Sequence, residues 1–287
     1  MRVLIPLHIT GFWYVIKSYN PLFTGSLGAG LTLDPPIIAE AVDSKCRVII
    51  NDLCMMNPVV DTAGKLARLE DAKAVRIRSK VMLGNGYGLS GAVALAYLTL
   101  NMLDKSSTTL NNISALAHVA EVLNETGYGD VIAEFYGNGL VLRTSPGPPG
   151  VGSVDIVPVS RSLKVVTVLL GSLTTKEMMS RFGNLINAVG VETYKKFVEA
   201  PSIEAFAELA HMFSLRVGML SKELDELLST ALSNSIRNGG VLGYFVKKML
   251  LTVIVEETYV PDVADILLKK VGTPKIFNIA RHGLIVM

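Results

Sequence analysis

Apolar residues along this chain recur first with the period of strands and then with the period of helices. "RVLIPL" (2–7) reads as a buried strand, and "SLGAGLTL" through "PPIIAEAV" as a turn followed by a strand. "KCRVIIND" and "KAVRIRSKVML" are further strands, the second alternating Val75, Ile77, Ser79 and Val81 on one face. After Gly88 the spacing becomes helical, with Ala92, Leu95, Ala96 and Thr99 in one series and Leu98 and Met102 in another. "NISALAHVAEVLN" (112–124) predicts a second helix with Asn112 as its N-cap. "ETGYGD" ends it, and "VIAEFYGNGLVLRT" returns to strand and turn.

"SPGPPGVGSVD" (145–155), with three prolines and three glycines, is the sharpest break and marks a lobe boundary, dividing the chain into 1–155 and 156–287. Beyond it "KVVTVLLGSL" is a buried strand. Helices follow near Lys176–Val189, Ser202–Arg216 and Lys222–Ser235. "KKMLLTVIVEE" is a late strand, and "PDVADILLKK" a last helix opened by Pro261. No internal repeat is visible. The order predicts a mixed α+β chain in two lobes.

Composition narrows the function. Of 287 residues, 50% are hydrophobic and only 18% charged, so disorder is excluded. A formal charge of +2, with no Lys/Arg block and no aromatic–basic pattern, argues against nucleic acid as a partner. The longest uncharged run, Val81 to Leu103, is glycine-rich in its first half, and its helical remainder is short of the ~20 residues that span a bilayer. The N-terminus carries one basic residue and no small-residue cleavage site. The expectation is a soluble cytoplasmic protein without a membrane partner. Cys46 and Cys54, in "CRVIINDLC", are expected to be reduced core thiols, and no Cys/His cluster has zinc spacing. Apolar surface in this quantity suits a homodimer.

Three stretches carry candidate chemistry. "GNGYGLSGAVALA" (84–96) places four glycines in eight positions and then turns into a helix. Unpaired N–H groups at a helix start, with the helix dipole, form an anion site that glycines let a phosphate approach. Ser90 would stand at that start, able to ligate magnesium or a phosphate. The pattern is not a Walker loop, since no lysine follows, nor a dinucleotide fingerprint; a loop packed tightly on a neighbour is the alternative. "HVAEVLNETGYGD" offers Glu121, Glu125 and Asp130, carboxylates of the kind that phosphoryl transfer uses to position Mg²⁺ and to orient a hydroxyl. A solvated helix face and a turn aspartate are the plainer readings. His8, Thr10, Ser26, Gly28 and Gly30 crowd the region after the first strand, where a substrate-facing loop competes with a structural histidine.

Together these stretches resemble the GHMP kinases (galactokinase, homoserine kinase, mevalonate kinase) and, within them, the archaeal pantoate kinases. Residues 84–92 match the variant G-x-G-x-G-x-S-G-A at every fixed position. "HITGF" followed by "GSLGAGLTLD", and "TGYGDV" followed by "YGNGLVLRTSPGPPG", extend the likeness over roughly residues 1–160. The resemblance implies a two-lobe α+β GHMP-kinase-like fold, with an N-terminal ATP-binding lobe and a smaller helix-rich C-terminal lobe. It implies a magnesium-dependent transfer of phosphoryl from ATP to the primary hydroxyl of pantoate, giving 4-phosphopantoate for coenzyme A biosynthesis. Gly84, Asn85, Gly86, Tyr87, Gly88, Leu89, Ser90, Gly91 and Ala92 would wrap the ATP phosphates; Ser90 and Glu121 would hold Mg²⁺. Asp130 would face the hydroxyl as base or orienting group. His8, Thr10, Gly11, Ser26, Gly28 and Gly30 would line the acceptor pocket, with Arg143, and less strongly Arg161, for its carboxylate. Leu89 stands where the superfamily has a small residue. The superfamily's third, glycine-rich motif is not recognisable, "NGGVLGYFVKKMLLTVIVEE" being the nearest place. A sister kinase for mevalonate or homoserine, and a nucleotide-binding homologue without catalysis, are the alternatives.

Overall fold

A computed structural model of the chain describes residues 1–103 and 107–287. Its frame is a long antiparallel pair, β1 (Arg2–Ile16) and β2 (Gly25–Val42), in register from Arg2 opposite Glu40 to Ile16 opposite Gly25. β1 is buried along most of its length, which explains why apolar residues occupy both of its faces rather than alternating. Next come β3 (Val48–Ile50), β4 (Leu53–Met55), helix α1 (Pro58–Leu66) and β5 (Ala74–Arg78). Along its other edge β2 pairs with β5 at residues 38–42.

Helix α2 (Leu89–Met102) is uncharged and buried on almost every side, as a helix with no polar face must be. It packs on β1 and β2 and against α1 and α3 (Leu110–Leu123). Thr109, not Asn112, caps α3: its hydroxyl accepts from Asn112 N at 3.2 Å. "VIAEFY" is not a strand but belongs to helix α4 (Asp130–Tyr136), with Gly129 before it and Asp130 in the first turn, where a carboxylate favours the helix dipole. The Pro/Gly segment 145–155 is the turn between β6 (Leu140–Ser145) and β7 (Ser153–Val157), which pair antiparallel. β6 also pairs with β2.

The remainder adds β8 (Leu163–Leu169), α5 (Thr175–Glu199), α6 (Ile203–Val217), α7 (Lys222–Ala231), α8 (Ser233–Arg237), β9 (Val241–Lys247), β10 (Leu250–Glu256), α9 (Val260–Lys270), β11 (Pro274–Ile279) and β12 (Ile285–Val286). The sheet runs β4-β3-β5-β2-β11-β8-β10-β9, while β12 joins β1 at Val3 and Leu4. Helices α5 and α6 pack on β1, with Gly11 admitting Phe206 so closely that an added Cβ would lie 2.6 Å from its ring. Among the described residues no helix is long and apolar enough to cross a membrane.

The cysteines depart from expectation. Cys46 and Cys54 form a disulfide across the β3–β4 hairpin, their Cα atoms 5.8 Å apart. Cys54 is exposed, because the short hairpin holds it outside the core that its apolar neighbours suggest.

Candidate active site

The glycine-rich stretch folds as its composition demands. Gly84, Gly86 and Gly88 all have left-handed backbone, with φ of 84°, 88° and 73°. Side chains rarely adopt that region. At Gly88 space is limiting as well, since a Cβ would lie 2.3 Å from Glu134 Oε1. Gly88 is the N-cap of α2 and supplies no side-chain cap, which leaves the first-turn amides of the helix without a side-chain partner. Tyr87 fixes the loop from behind. Its carbonyl accepts from His8 N at 3.0 Å, and its hydroxyl shares a 2.7 Å hydrogen bond with Thr167 of β8.

At the second position of α2, Ser90 Oγ donates to Glu121 Oε1, which also accepts from Thr126 Oγ1 at 2.7 Å. Glu121 is 1% exposed; burial, then the charge of Asp130, pushes it up to about 7 against those two hydrogen bonds. Gly127 makes the approach possible, because a Cβ there would lie 2.1 Å from Glu121 Oε2. A buried carboxylate beside a hydroxyl is an all-oxygen donor set, which suits Mg²⁺. Among the described residues no three His, Cys, Asp or Glu side chains converge as a complete cage. An ion held here would take its remaining ligands from phosphate and water, as Mg²⁺ commonly does.

Asp130 is the centre of a polar chain. His8 Nδ1 donates to Asp130 Oδ1 at 2.7 Å, and Lys247 Nζ lies 3.6 Å from the same oxygen. Burial opposes the charge of Asp130, but Lys247, His8 and Arg143 outweigh it and hold the carboxylate well below its usual range. Burial lowers His8 to about 4, with Asp130 pulling it up and Arg143 and Lys247 adding to the drop, so the ring is neutral at pH 7. With the proton on Nδ1, Nε2 is free to accept from Arg143 Nη1 at 3.4 Å. Arg143 Nε also donates to Ser26 O at 3.1 Å, and burial lowers its pKa to about 10, leaving it a cation. Glu134 lies behind the glycine loop, fully buried and with neither carboxyl oxygen hydrogen-bonded. Burial, then the charges of Asp130 and Glu121, push it well above the usual carboxylate range and so favour its neutral form.

Two cavities meet at Asp130. One, of about 210 Å³, runs along Gly84–Ser90 and ends on Met56–Val59 and Leu83. Asn57 caps α1 through Val59 N and Val60 N, and so sets that end. The other, of about 30 Å³, is bordered by Thr10, Trp13, Ser26, Gly127–Asp130, Met178 and Met179. Asp130, Thr126, Thr175, Lys247 and Lys248 line both.

The structure therefore brings together His8, Thr10, Ser26, Gly84–Ser90, Glu121, Asp130 and Arg143. His8, Thr10 and Gly11 lie on β1, and Ser26, Gly28 and Gly30 on β2, rather than on a loop. Gly11 faces Phe206; Gly28 lets β1 and β2 approach, since a Cβ would lie 2.2 Å from Phe12 O. Gly30 leaves room for the His8 ring, whose Nε2 a Cβ would meet at 2.3 Å. Ala92 is buried within α2. Arg161 is held elsewhere, by Glu256 and by Glu204 at 3.1 Å. The sequence reading misses Thr126, Glu134, Thr175, Lys247 and Lys248. Only the "KK" pair had a visible signal, absorbed there into a strand.

No family model matches the chain. It is 31% identical over 241 residues to the pantoate kinase of Thermococcus kodakarensis, covering 79% of each chain. It is 30% identical over 225 residues to the pantoate kinase of Methanocaldococcus jannaschii, covering 76% of this chain and 81% of that one. Among solved structures it resembles a phosphotransferase related to the CoA biosynthesis pathway, with a TM-score of 0.81 at 24% identity, covering 99% of this chain and 97% of the other.

Proposed function

The chain belongs to the pantoate kinase family of the GHMP superfamily, and from that premise we propose that its cleft moves the γ-phosphoryl of ATP to the primary hydroxyl of pantoate. The product is 4-phosphopantoate, a coenzyme A precursor. One observation carries the reading: Asp130 stands where a cavity along a glycine-rich helix start meets a second, smaller pocket. A nucleotide laid along Gly84–Ser90 points its terminal phosphate at the second pocket. The open amides of α2 receive its charge.

In this reading Ser90 and Glu121 would hold Mg²⁺, which would supply positive charge against the phosphates. Asp130 accepts a hydrogen bond from the acceptor hydroxyl, aims its oxygen at phosphorus, and takes its proton as the new bond forms. A carboxylate held so firmly ionised is a weak base, which suits a loose phosphoryl transition state in which the proton leaves late. His8 keeps Asp130 in one orientation. Arg143 is the cation proposed for the carboxylate of pantoate; it is itself 1% exposed and lies behind the small pocket, bonded to the carbonyl of Ser26, which borders it. About 30 Å³ holds little more than one water, so the acceptor displaces the flexible Met178 and Met179 side chains on entry.

The division into an ATP-binding region (1–155) and a helix-rich region (156–287) belongs to the same proposal, as do a homodimer and a cytoplasmic location. The Cys46–Cys54 bond pulls against the last, because most cytosols keep thiols reduced, hyperthermophiles excepted. The test is to incubate the protein with ATP, Mg²⁺ and pantoate, mevalonate or homoserine, and to follow products by phosphorus NMR. Phosphate on pantoate is expected. Transfer only to mevalonate or homoserine would mean a sister specificity, and nucleotide binding without transfer a non-catalytic homologue.

A further inference from the structure

The turn between β9 and β10 closes on the pair Lys247–Leu250, leaving Lys248 and Met249 at its tip. It projects two consecutive lysines into the cleft, and both line both cavities. Lys247 is 6% exposed; its Nζ lies 3.3 Å from Thr10 Oγ1 and 5.8 Å above the Trp13 ring, as well as beside Asp130. Lys248 has φ of 57° and is half-buried, facing Asp130 and Glu121. Among the described residues it has neither a hydrogen bond nor an ion pair. Arg143 adds a third cation, while Asp130 is the anion that pairs with Lys247. A half-buried ammonium in direct contact with no carboxylate is costly and is retained where an anion arrives to meet it.

Resting on the kinase reading above, we propose that the β9–β10 turn supplies two further catalytic residues: Lys247 and Lys248 grip the phosphoryl group as it passes from the nucleotide cavity to the acceptor pocket. The bond broken joins the γ-phosphorus to the bridging oxygen of ATP, and ADP leaves with its electron pair. The bond formed joins that phosphorus to the acceptor oxygen, whose proton passes to Asp130 and then to solvent. Both lysines stay protonated, donating N–H to the non-bridging oxygens, Lys247 from the side of Thr10 and Lys248 from the side of Glu121. Fixed donors aimed at developing charge are worth about 10²- to 10³-fold in kcat when one is removed.

Lys247→Met, Lys248→Gly and Lys248→Arg test this in the full chain with ATP and pantoate, scored as kcat and as the Kd of the non-hydrolysable analogue AMPPCP. Lys248→Gly relieves a left-handed backbone, so the protein stays folded and any loss reports the missing charge. Expected is a fall of about 10²-fold in kcat for Lys247→Met and Lys248→Gly, a much smaller change in AMPPCP affinity, and partial recovery with Lys248→Arg. If the unmutated protein phosphorylates pantoate and Lys248→Gly matches its kcat, the lysine inference falls and the kinase reading stands. If the unmutated protein phosphorylates no acceptor, the kinase reading falls and takes this one with it.

Discussion

Residues 84–90 and residues 247–248 face the same space with opposite means. The first wall is bare backbone: glycines in left-handed conformation, a helix start with no side-chain cap, and no charged group until Glu121. The second is side-chain charge on a turn whose Lys248 occupies the left-handed backbone without being glycine. That conformation costs a non-glycine residue about 1–2 kcal/mol. The contrast teaches where each wall gets its rigidity. Backbone amides come pre-aimed by the helix, whereas a lysine is aimed only by what surrounds it, and here Thr10, Trp13 and Asp130 do so for Lys247.

The strongest way to break this comparison is at the point both walls share. Asp130→Asn should lower kcat by about 10²- to 10⁴-fold while AMPPCP still binds, and an unchanged steady-state rate would remove Asp130 from the chemistry. Next comes a buried histidine that ties α3 to the residue before β2. His118 of α3 donates through Nε2 to Thr24 O at 2.8 Å, and burial lowers it to about 4 from 6.5. A histidine held neutral by the fold contributes fully above pH 6.5, and that contribution drains away as the pH falls from 6.5 towards 4. The loss is up to about 3 kcal/mol. Urea melts at pH 7 and pH 4.5 should show it, with a shallower acid dependence in His118→Gln.

Gly88→Ala is the direct test of bare backbone, since the methyl meets both a left-handed φ and Glu134. Strain of that kind should weaken AMPPCP binding about tenfold, and unaltered affinity would show that the loop needs neither the angle nor the space. The smallest effect is predicted for Glu134→Gln. If the buried carboxyl is a neutral acid, the amide is a near-isostere, and kcat should stay within about twofold. Thermal stability should rise, because the unfolded chain no longer has to pick up a proton to fold. A large loss of activity would instead mean that Glu134 works as an anion.

The same contrast explains what was legible beforehand. Glycine density at 84–91 is a sequence signature because φ excludes other residues at several positions there. Helix α2 was legible from its uncharged run, and Asp130 from its place after Gly127 and Gly129. Lys247 and Lys248 were not, since a lysine pair beside a strand has the same appearance whether it faces solvent or substrate. "VIAEFY" misleads for another reason: in seven residues a β-branched start outweighs the helical period that Asp130 and its dipole impose. "HITGF" looks like loop because Gly11 interrupts it, yet that glycine serves the contact of β1 with Phe206. Cys46, half-buried before β3, and Cys54, exposed on β4, flank an apolar stretch, and only the fold reveals their pairing.

The placement of β11 and β12 has a consequence for how the protein is made. These strands flank β2 and β1, and Arg2 exchanges hydrogen bonds with Met287. The β1–β2 hairpin therefore lacks some of its neighbours until β11 and β12, far later in the chain, have been made and have folded onto it. Until then its open edges are what a chaperone would have to shield.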